Sequence, residues 1–240
     1  MFDRIAHRYD FLNRLLSFRR DVAWRRRMAA CLPSSSHLHI LDVAAGTADS
    51  LLSLATHCDR VELGVGLDAA ERMLGLGRAK LAASRYADRL HLVLGDGLAM
   101  PFADGSFDAV TIAFGIRNFV DPVGGLRQFY RVLKPGGRLL VLEFSLPANA
   151  LLRRCYLAYF RYLMPVVGRL VSGDAAAYRH LNQSVENFPY GVGFCDIMRT
   201  VGFENIKEER LTLGVASIYQ GHKTAASGDR RHADESEETD

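Results

Sequence analysis

A short apolar run that ends in small or acidic residues and passes into a helical pattern recurs along the first 144 residues, and it constrains the fold more than any other feature. His39 to Val43 gives way to the small residues Ala44 to Ala48 and then to a helix through Leu51 to Ala55. Val61 to Leu67 ends on Asp68, and a helix carrying Met73, Leu74, Leu76 and Leu81 follows. His91 to Leu94 ends at Gly95-Asp96; after the turn Ala103-Asp104-Gly105, Phe107 to Phe114 forms a fourth run, followed by a helix over Pro122 to Leu133. Pro135 to Gly137 turns the chain into a fifth run, Arg138 to Phe144. Parallel strands need crossover helices, so this alternation predicts an α/β fold with a largely parallel sheet covered on both faces.

Outside that core the pattern changes. Phe2 to Leu32 has no Gly or Pro, and Leu12, Leu15 and Leu16 recur at helical spacing, so helices are expected before the loop at Pro33. Pro147 to Pro189 reads mostly as helix, interrupted at Pro165 and Gly173. A helix through Phe194 to Val201 precedes two late strands, Ile206 to Thr212 and Ala216 to Lys223, expected to pair as an antiparallel hairpin on the sheet edge.

Charge and cysteine usage narrow the setting. The formal net charge is +3. Asp229, Asp234, Glu235, Glu237, Glu238 and Asp240 outweigh Arg230 and Arg231 in the last 17 residues, so the body is more basic than the total suggests. An acidic tail without aromatic residues is expected to be disordered, and the basic body to attract anions or simply to stay solvated. Cys31, Cys58, Cys155 and Cys195 lie far apart with no C-x-x-C pair, which points away from zinc or a disulfide framework and fits a reducing cytosol. The polar start MFDRIAHRYD lacks the apolar core of a signal peptide. Leu151 to Ser172 is apolar but carries Arg153, Arg154, Arg161 and Arg169 besides Pro165, so an amphipathic or lid role is expected rather than a span.

Three loops at successive strand ends carry the chemistry. Asp42 to Asp49 is a strand, a small-residue turn and a helix start, where a ligand can approach backbone amides. Asp68 closes the next strand, placed to accept the hydroxyls of an adenosine ribose or to cap the helix after it. Gly95-Asp96-Gly97 closes the third, where a carboxylate can meet an adenine amino group or merely complete a turn. A dinucleotide dehydrogenase stays open on these features, although its G-x-G-x-x-G run is absent. No aromatic-basic motif supports nucleic-acid binding, and no metal site is expected.

Further motifs carry a family resemblance. Met1-Phe2-Asp3-Arg4-Ile5-Ala6, Phe114-Gly115-Ile116-Arg117-Asn118, Tyr130 to Gly137, Leu142-Glu143-Phe144-Ser145, Tyr178-Arg179-His180-Leu181 and Phe188-Pro189 together resemble the menaquinone/ubiquinone biosynthesis C-methyltransferase family, and the likeness runs nearly to Lys223. The resemblance implies a class I methyltransferase fold, Rossmann-like and seven-stranded, with its last strand antiparallel, and S-adenosylmethionine as cofactor. It places cofactor contacts on Gly46, Thr47, Asp68, Asp96, Gly97 and Ala113, and catalytic, substrate-facing roles on Arg117 and Asn118. It divides the chain into a methyltransferase domain over 1–223, with N-terminal helices over 1–36 and a helical substrate lid over 148–190, and a tail over 224–240. Two positions depart from the family pattern. Gly-Thr-Gly reads Gly46-Thr47-Ala48, where the added methyl crowds the cofactor if positive φ is needed, and the usual Ser before Phe-Gly is Ala113.

The expected reaction is C-methylation of a prenylated quinol, demethylmenaquinol first and a polyprenyl methoxy-benzoquinol second; a non-catalytic cofactor-binding subunit is the reading of another class. A quinol carbon is a poor nucleophile until a neighbouring hydroxyl loses its proton, so a charge stabiliser and a proton acceptor are needed. Arg117 suits the first role and Asn118 a bond to a ring oxygen, while the acceptor is a water or another residue, with Tyr178 and His180 as candidates. Leu151, Leu152, Tyr156, Leu157, Tyr159, Phe160, Leu163 and Met164 offer a wall for the prenyl tail. Arg14, Arg19, Arg20, Arg25, Arg26 and Arg27 offer a peripheral contact to the inner face of a membrane, set against an ordinary solvated face. A homodimer is compatible with all of this.

Overall fold

The computed structural model describes residues 17, 19–159, 161 and 188–225. Seven strands form one sheet: β1 (Leu38–Val43), β2 (Val61–Asp68), β3 (Leu90–Leu94), β4 (Phe107–Ala113), β5 (Leu133–Phe144), β6 (Glu204–Leu211) and β7 (Ala216–His222). Their order is β3-β2-β1-β4-β5-β7-β6. The first five run parallel, while β7 is antiparallel to both β5 and β6. The alternation of the sequence and its closing hairpin are thus both realised. The central strands are nearly continuous apolar runs because both of their faces are covered.

Among the described residues six helices accompany the sheet: α1 (Arg20–Ala29), α2 (Asp49–His57), α3 (Glu71–Ala82), α4 (Pro122–Val132), α5 (Ala150–Ala158) and α6 (Val192–Val201). One core layer joins Trp24 and Met28 of α1 to Leu51 and Leu54 of α2 and to Leu140 and Leu142 of β5. The other joins Leu126 and Phe129 of α4 to Phe194 and Met198 of α6 and to Tyr219 of β7. α4 begins where Asp121 accepts a bond from the Gly124 amide at 2.9 Å, with Pro122 at the first helical position.

Two local expectations are corrected. Pro135 to Gly137 does not precede the fifth strand but lies within it. Leu133 pairs with Phe107 and Arg138 with Ala109, so the residues between are bulged out against Asp108, with Gly136 at φ +77°. Asp68 does not cap α3 either: Ala70 is the N-cap residue, and Asp68 Oδ1 accepts from the Ala70 amide at 2.8 Å. Among the described residues no helix is long and apolar enough to cross a membrane. Most of the expected lid, with Phe160, Leu163, Met164, Tyr178 and His180, lies outside the described residues, as do Arg14 and residues 226–240 of the tail.

Candidate active site

Strand order places the crossover reversal at β1 and β4, where chains leave the sheet in opposite directions and open a crevice beyond the strand ends. A cleft of about 310 Å³ lies there, within the range of small-molecule sites. Gly46, Thr47, Asp68, Asp96, Gly97, Ala113 and Asn118 all line it. Arg117, the remaining predicted residue, does not belong to that lining.

The turn after β1 owes its shape to three residues in left-handed conformation, Ala44 (φ 53°), Gly46 (φ 55°) and Ala48 (φ 66°). Asp68 braces it from β2: its Oδ2 accepts from the Gly46 amide at 2.8 Å. Lys80 of α3 braces it from outside, donating to Thr47 Oγ1 at 2.9 Å and to Asp49 Oδ1 at 2.8 Å. Ala48 does adopt the positive φ that makes its methyl a concern. Yet that methyl is fully buried in the core, at 3.4 Å from where a Cβ on Gly77 would sit, and Ala48 is absent from the cleft lining. The expected crowding is therefore replaced by backbone strain of about 1–2 kcal/mol.

The remaining loops close the cleft. Asp96 is exposed, with Oδ1 accepting from the Leu98 amide at 2.9 Å. A side chain at Gly97 would sit 2.5 Å from the Phe119 ring, so glycine lets that ring close on the loop. Sequence reasoning missed several lining residues, among them Met73, Phe114, Phe119 and Arg25. Arg25 carried a signal: Asp21, Trp24, Arg25 and Met28 share one face at helical spacing, and all four are buried. Arg25 thus leaves the expected surface stripe, in which Arg19, Arg20, Arg26 and Arg27 remain exposed.

Arg117 and Asn118 form a 3-10 turn (Ile116–Asn118) after β4. Arg117 is 4% exposed and donates from Nη1 to Glu143 Oε1 at 2.5 Å, its guanidinium lying 5.3 Å from the centre of the Phe144 ring. Glu143, in β5, is fully buried and also accepts from the Phe144 amide at 2.9 Å. Burial pushes the Glu143 carboxyl above its ordinary range while the Arg117 charge pulls it back. Glu143 Oε2 and Arg117 Nε have no hydrogen-bond partner among the described residues. Asp42, beneath the cleft at the end of β1, is likewise buried; desolvation raises it to about 7 against the opposing pull of Thr111 and Arg25.

A seven-stranded sheet with this order, and a cleft over its first four strands, defines a class I S-adenosylmethionine-dependent methyltransferase fold. A possible histamine N-methyltransferase of Thermotoga maritima superposes with a TM-score of 0.64 at 20% identity, over 93% of this chain and 98% of that one. A methyltransferase assigned as S-adenosylmethionine-dependent from Methanococcus maripaludis superposes at 0.64 and 17% identity, over 95% and 96%. The chain belongs to the ubiE/COQ5 methyltransferase family, whose model matches residues 1–223. It is 47% identical to the ubiquinone/menaquinone biosynthesis C-methyltransferase UbiE of Geotalea daltonii, over 93% of this chain and 94% of the relative. It is 46% identical to the demethylmenaquinone methyltransferase of Thermus thermophilus, over 93% and 100%.

Proposed function

We propose that this enzyme transfers a methyl group from S-adenosylmethionine to a ring carbon of a reduced, prenylated quinol, with demethylmenaquinol as the preferred acceptor. The observation that carries the reading is that one cleft is lined by every predicted cofactor residue, in a chain whose relatives are named for this chemistry. The donor set fits the cofactor. Asp68 stands at the end of β2 for the ribose hydroxyls and Asp96 beyond β3 for the adenine amino group, while Gly46, Thr47 and Ala113 bound the space between.

When bound, S-adenosylmethionine supplies an electrophilic methyl group. Asn118 lines the cleft, which supports a hydrogen bond from it to a ring oxygen. Arg117 acts from behind it. Its buried pair with Glu143 ties the 3-10 turn to β5, and the role assigned to its cation in this reading is to stabilise the phenolate charge as it develops. Arginine is too weak an acid to act as a base, so the quinol proton passes to another acceptor. Phe114 and Phe119 wall the cleft against water.

The test is mass-resolved product analysis with demethylmenaquinol and the benzoquinol precursor, each reduced and oxidised. One added methyl on the reduced naphthoquinol, and none on the oxidised forms, is expected. Methylation of the benzoquinol alone would reassign the acceptor, and binding without turnover on either would make the chain a cofactor-binding subunit. A peripheral membrane contact is a second part of the reading, supported by Leu151 (71% exposed) and Leu152 (40%) beside exposed Arg153 and Arg154 on α5. Absence of flotation with anionic liposomes would remove it.

A further inference from the structure

The cleft is lopsided in charge. Its lining brings three carboxylates, Asp49, Asp68 and Asp96, and among the described lining residues a single cation, Arg25. That cation reaches the cleft from α1, which is not part of the strand-loop-helix units that build the rest of it. Its guanidinium donates from Nε to Ser50 Oγ at 3.1 Å and from Nη1 to Asp21. It also stands 5.6 Å from the centre of the Phe114 ring. Ser50 lies in the first turn of α2 and Phe114 directly follows β4, so Arg25 marks the β1–β4 end of the cleft. Asp96 marks the other, beyond β3. With neighbouring strands about 4.8 Å apart, the two ends are separated by roughly 14 Å.

The cost of placing Arg25 there is informative. Arg25 is 8% exposed and Asp21 1%, and Asp21 also accepts from Ser17 Oγ at 2.7 Å. A buried ion pair of this kind contributes little net stability compared with apolar side chains of the same size. What it does supply is a fixed fork. Two edges of the guanidinium are held by Asp21 and Ser50, and Nη2 makes no hydrogen bond among the described residues. A planar donor fork suits a carboxylate.

We infer that Arg25 is the anchor for the carboxylate at the amino-acid end of the methyl donor. The inference rests on the donor assigned above. With Asp68 and Asp96 taking the nucleoside, the amino-acid end points along the strand tops toward β4, where Arg25 is the cation it meets. α1 is thereby part of the donor site, and Asp21 and Ser17 position the guanidinium.

The experiment is calorimetry of the full chain with S-adenosylmethionine and with decarboxylated S-adenosylmethionine, which lacks only the group in question. The wild type is expected to bind the complete donor about tenfold more tightly or better, the scale of a charge-assisted hydrogen bond. Arg25→Met leaves Asp21 as a stray anion, so the deciding variant is Asp21→Asn with Arg25→Met. It is expected to bind both probes alike, with the decarboxylated donor held as in the wild type to within about twofold. Arg25→Lys retains part of the preference. A preference that persists undiminished in the double variant overturns the inference, because the carboxylate is then held elsewhere. Loss of affinity for both probes in equal measure overturns it too, since that is a structural effect. A wild type that binds neither probe defeats the donor assignment itself, a result distinct from both.

Discussion

Two buried ionisable sites set what single substitutions do. Asp42 has its Oδ1 bonded to the Thr111 hydroxyl at 2.6 Å, while Oδ2 has no partner among the described residues, as suits a protonated carboxyl. Its folded-state pKa of about 7 lies above the ordinary value, so the folded chain keeps a proton that the unfolded chain has released. Its stabilising share is full below about pH 4 and is lost as pH rises toward 7, at roughly 1.4 kcal/mol per pH unit. Asp42→Asn, which stays neutral, is expected to gain on the wild type by roughly 3 kcal/mol between pH 5 and pH 8. Denaturant melts of both proteins at the two pH values check this, and an equal difference at each pH refutes it. Arg117 behaves differently. Arg117→Ala leaves Glu143 buried without its partner and is expected to cost about 3–5 kcal/mol of stability. The neutral pair Arg117→Met with Glu143→Gln avoids that penalty. If the Arg117 charge serves the phenolate, this pair still binds cofactor but turns over at least about a hundredfold more slowly. Near-normal turnover would leave Arg117 a purely structural role.

Elements meet the turn after β1 from both sides, and this separates what the sequence could reveal from what it could not. The loops at Gly46, Asp68 and Asp96 are legible because each lies at the end of its own strand, where the local pattern marks the loops that line the cleft. Arg25 against Ser50 and Phe114, and Arg117 against Glu143, are pairings between distant segments: helical spacing puts Arg25 on the face of Trp24 and Met28, but it says nothing about which loops that face meets. The Pro-Gly-Gly bulge was misplaced for a related reason: its residues announce a turn, but only the pairing of Leu133 with Phe107 shows that the strand resumes before it. Lys80 is a third case. It sits in the last turn of α3 and bridges to Thr47 and Asp49 at the start of α2. Because its side chain is 34% exposed, the bridge contributes at most about 1 kcal/mol to stability. Its larger effect falls on the shape of the turn. Lys80→Met is expected to weaken cofactor binding by about three- to tenfold while the melting temperature moves by only a few degrees. Calorimetry beside a thermal melt reads both, and unchanged affinity would show that the turn holds its shape through Asp68 alone.

At the scale of the whole molecule, α1 ties the donor end of the cleft to the closing hairpin. Trp24 is 3% exposed, stacks edge-on to Phe144 and lies 6.1 Å from Phe114. Its Nε1 donates to Thr212 Oγ1 at 2.8 Å, in the 3-10 turn between β6 and β7. Arg27 pairs with Glu209 of β6 at 2.6 Å, adding a second link on the exposed side. If the donor is held from Asp96 to Arg25 as inferred above, it bears on β1 to β4 directly and on the hairpin through α1. Binding to the folded chain alone stabilises it by about 2.7 kcal/mol at a hundredfold excess over Kd. For a chain of this size that is a rise in melting temperature of roughly 5–10 °C. The distribution of protection is the sharper measurement. If α1 couples the two regions, hydrogen exchange in β6 and β7 slows on donor binding along with that in β1 and β2. Trp24→Phe, which removes the bond to Thr212 while keeping an aromatic ring, then leaves the slowing in β1 and β2 and reduces it in the hairpin. Equal protection of the hairpin in both proteins would mean that the sheet transmits the effect, through the pairing of β5 with β7 rather than through α1.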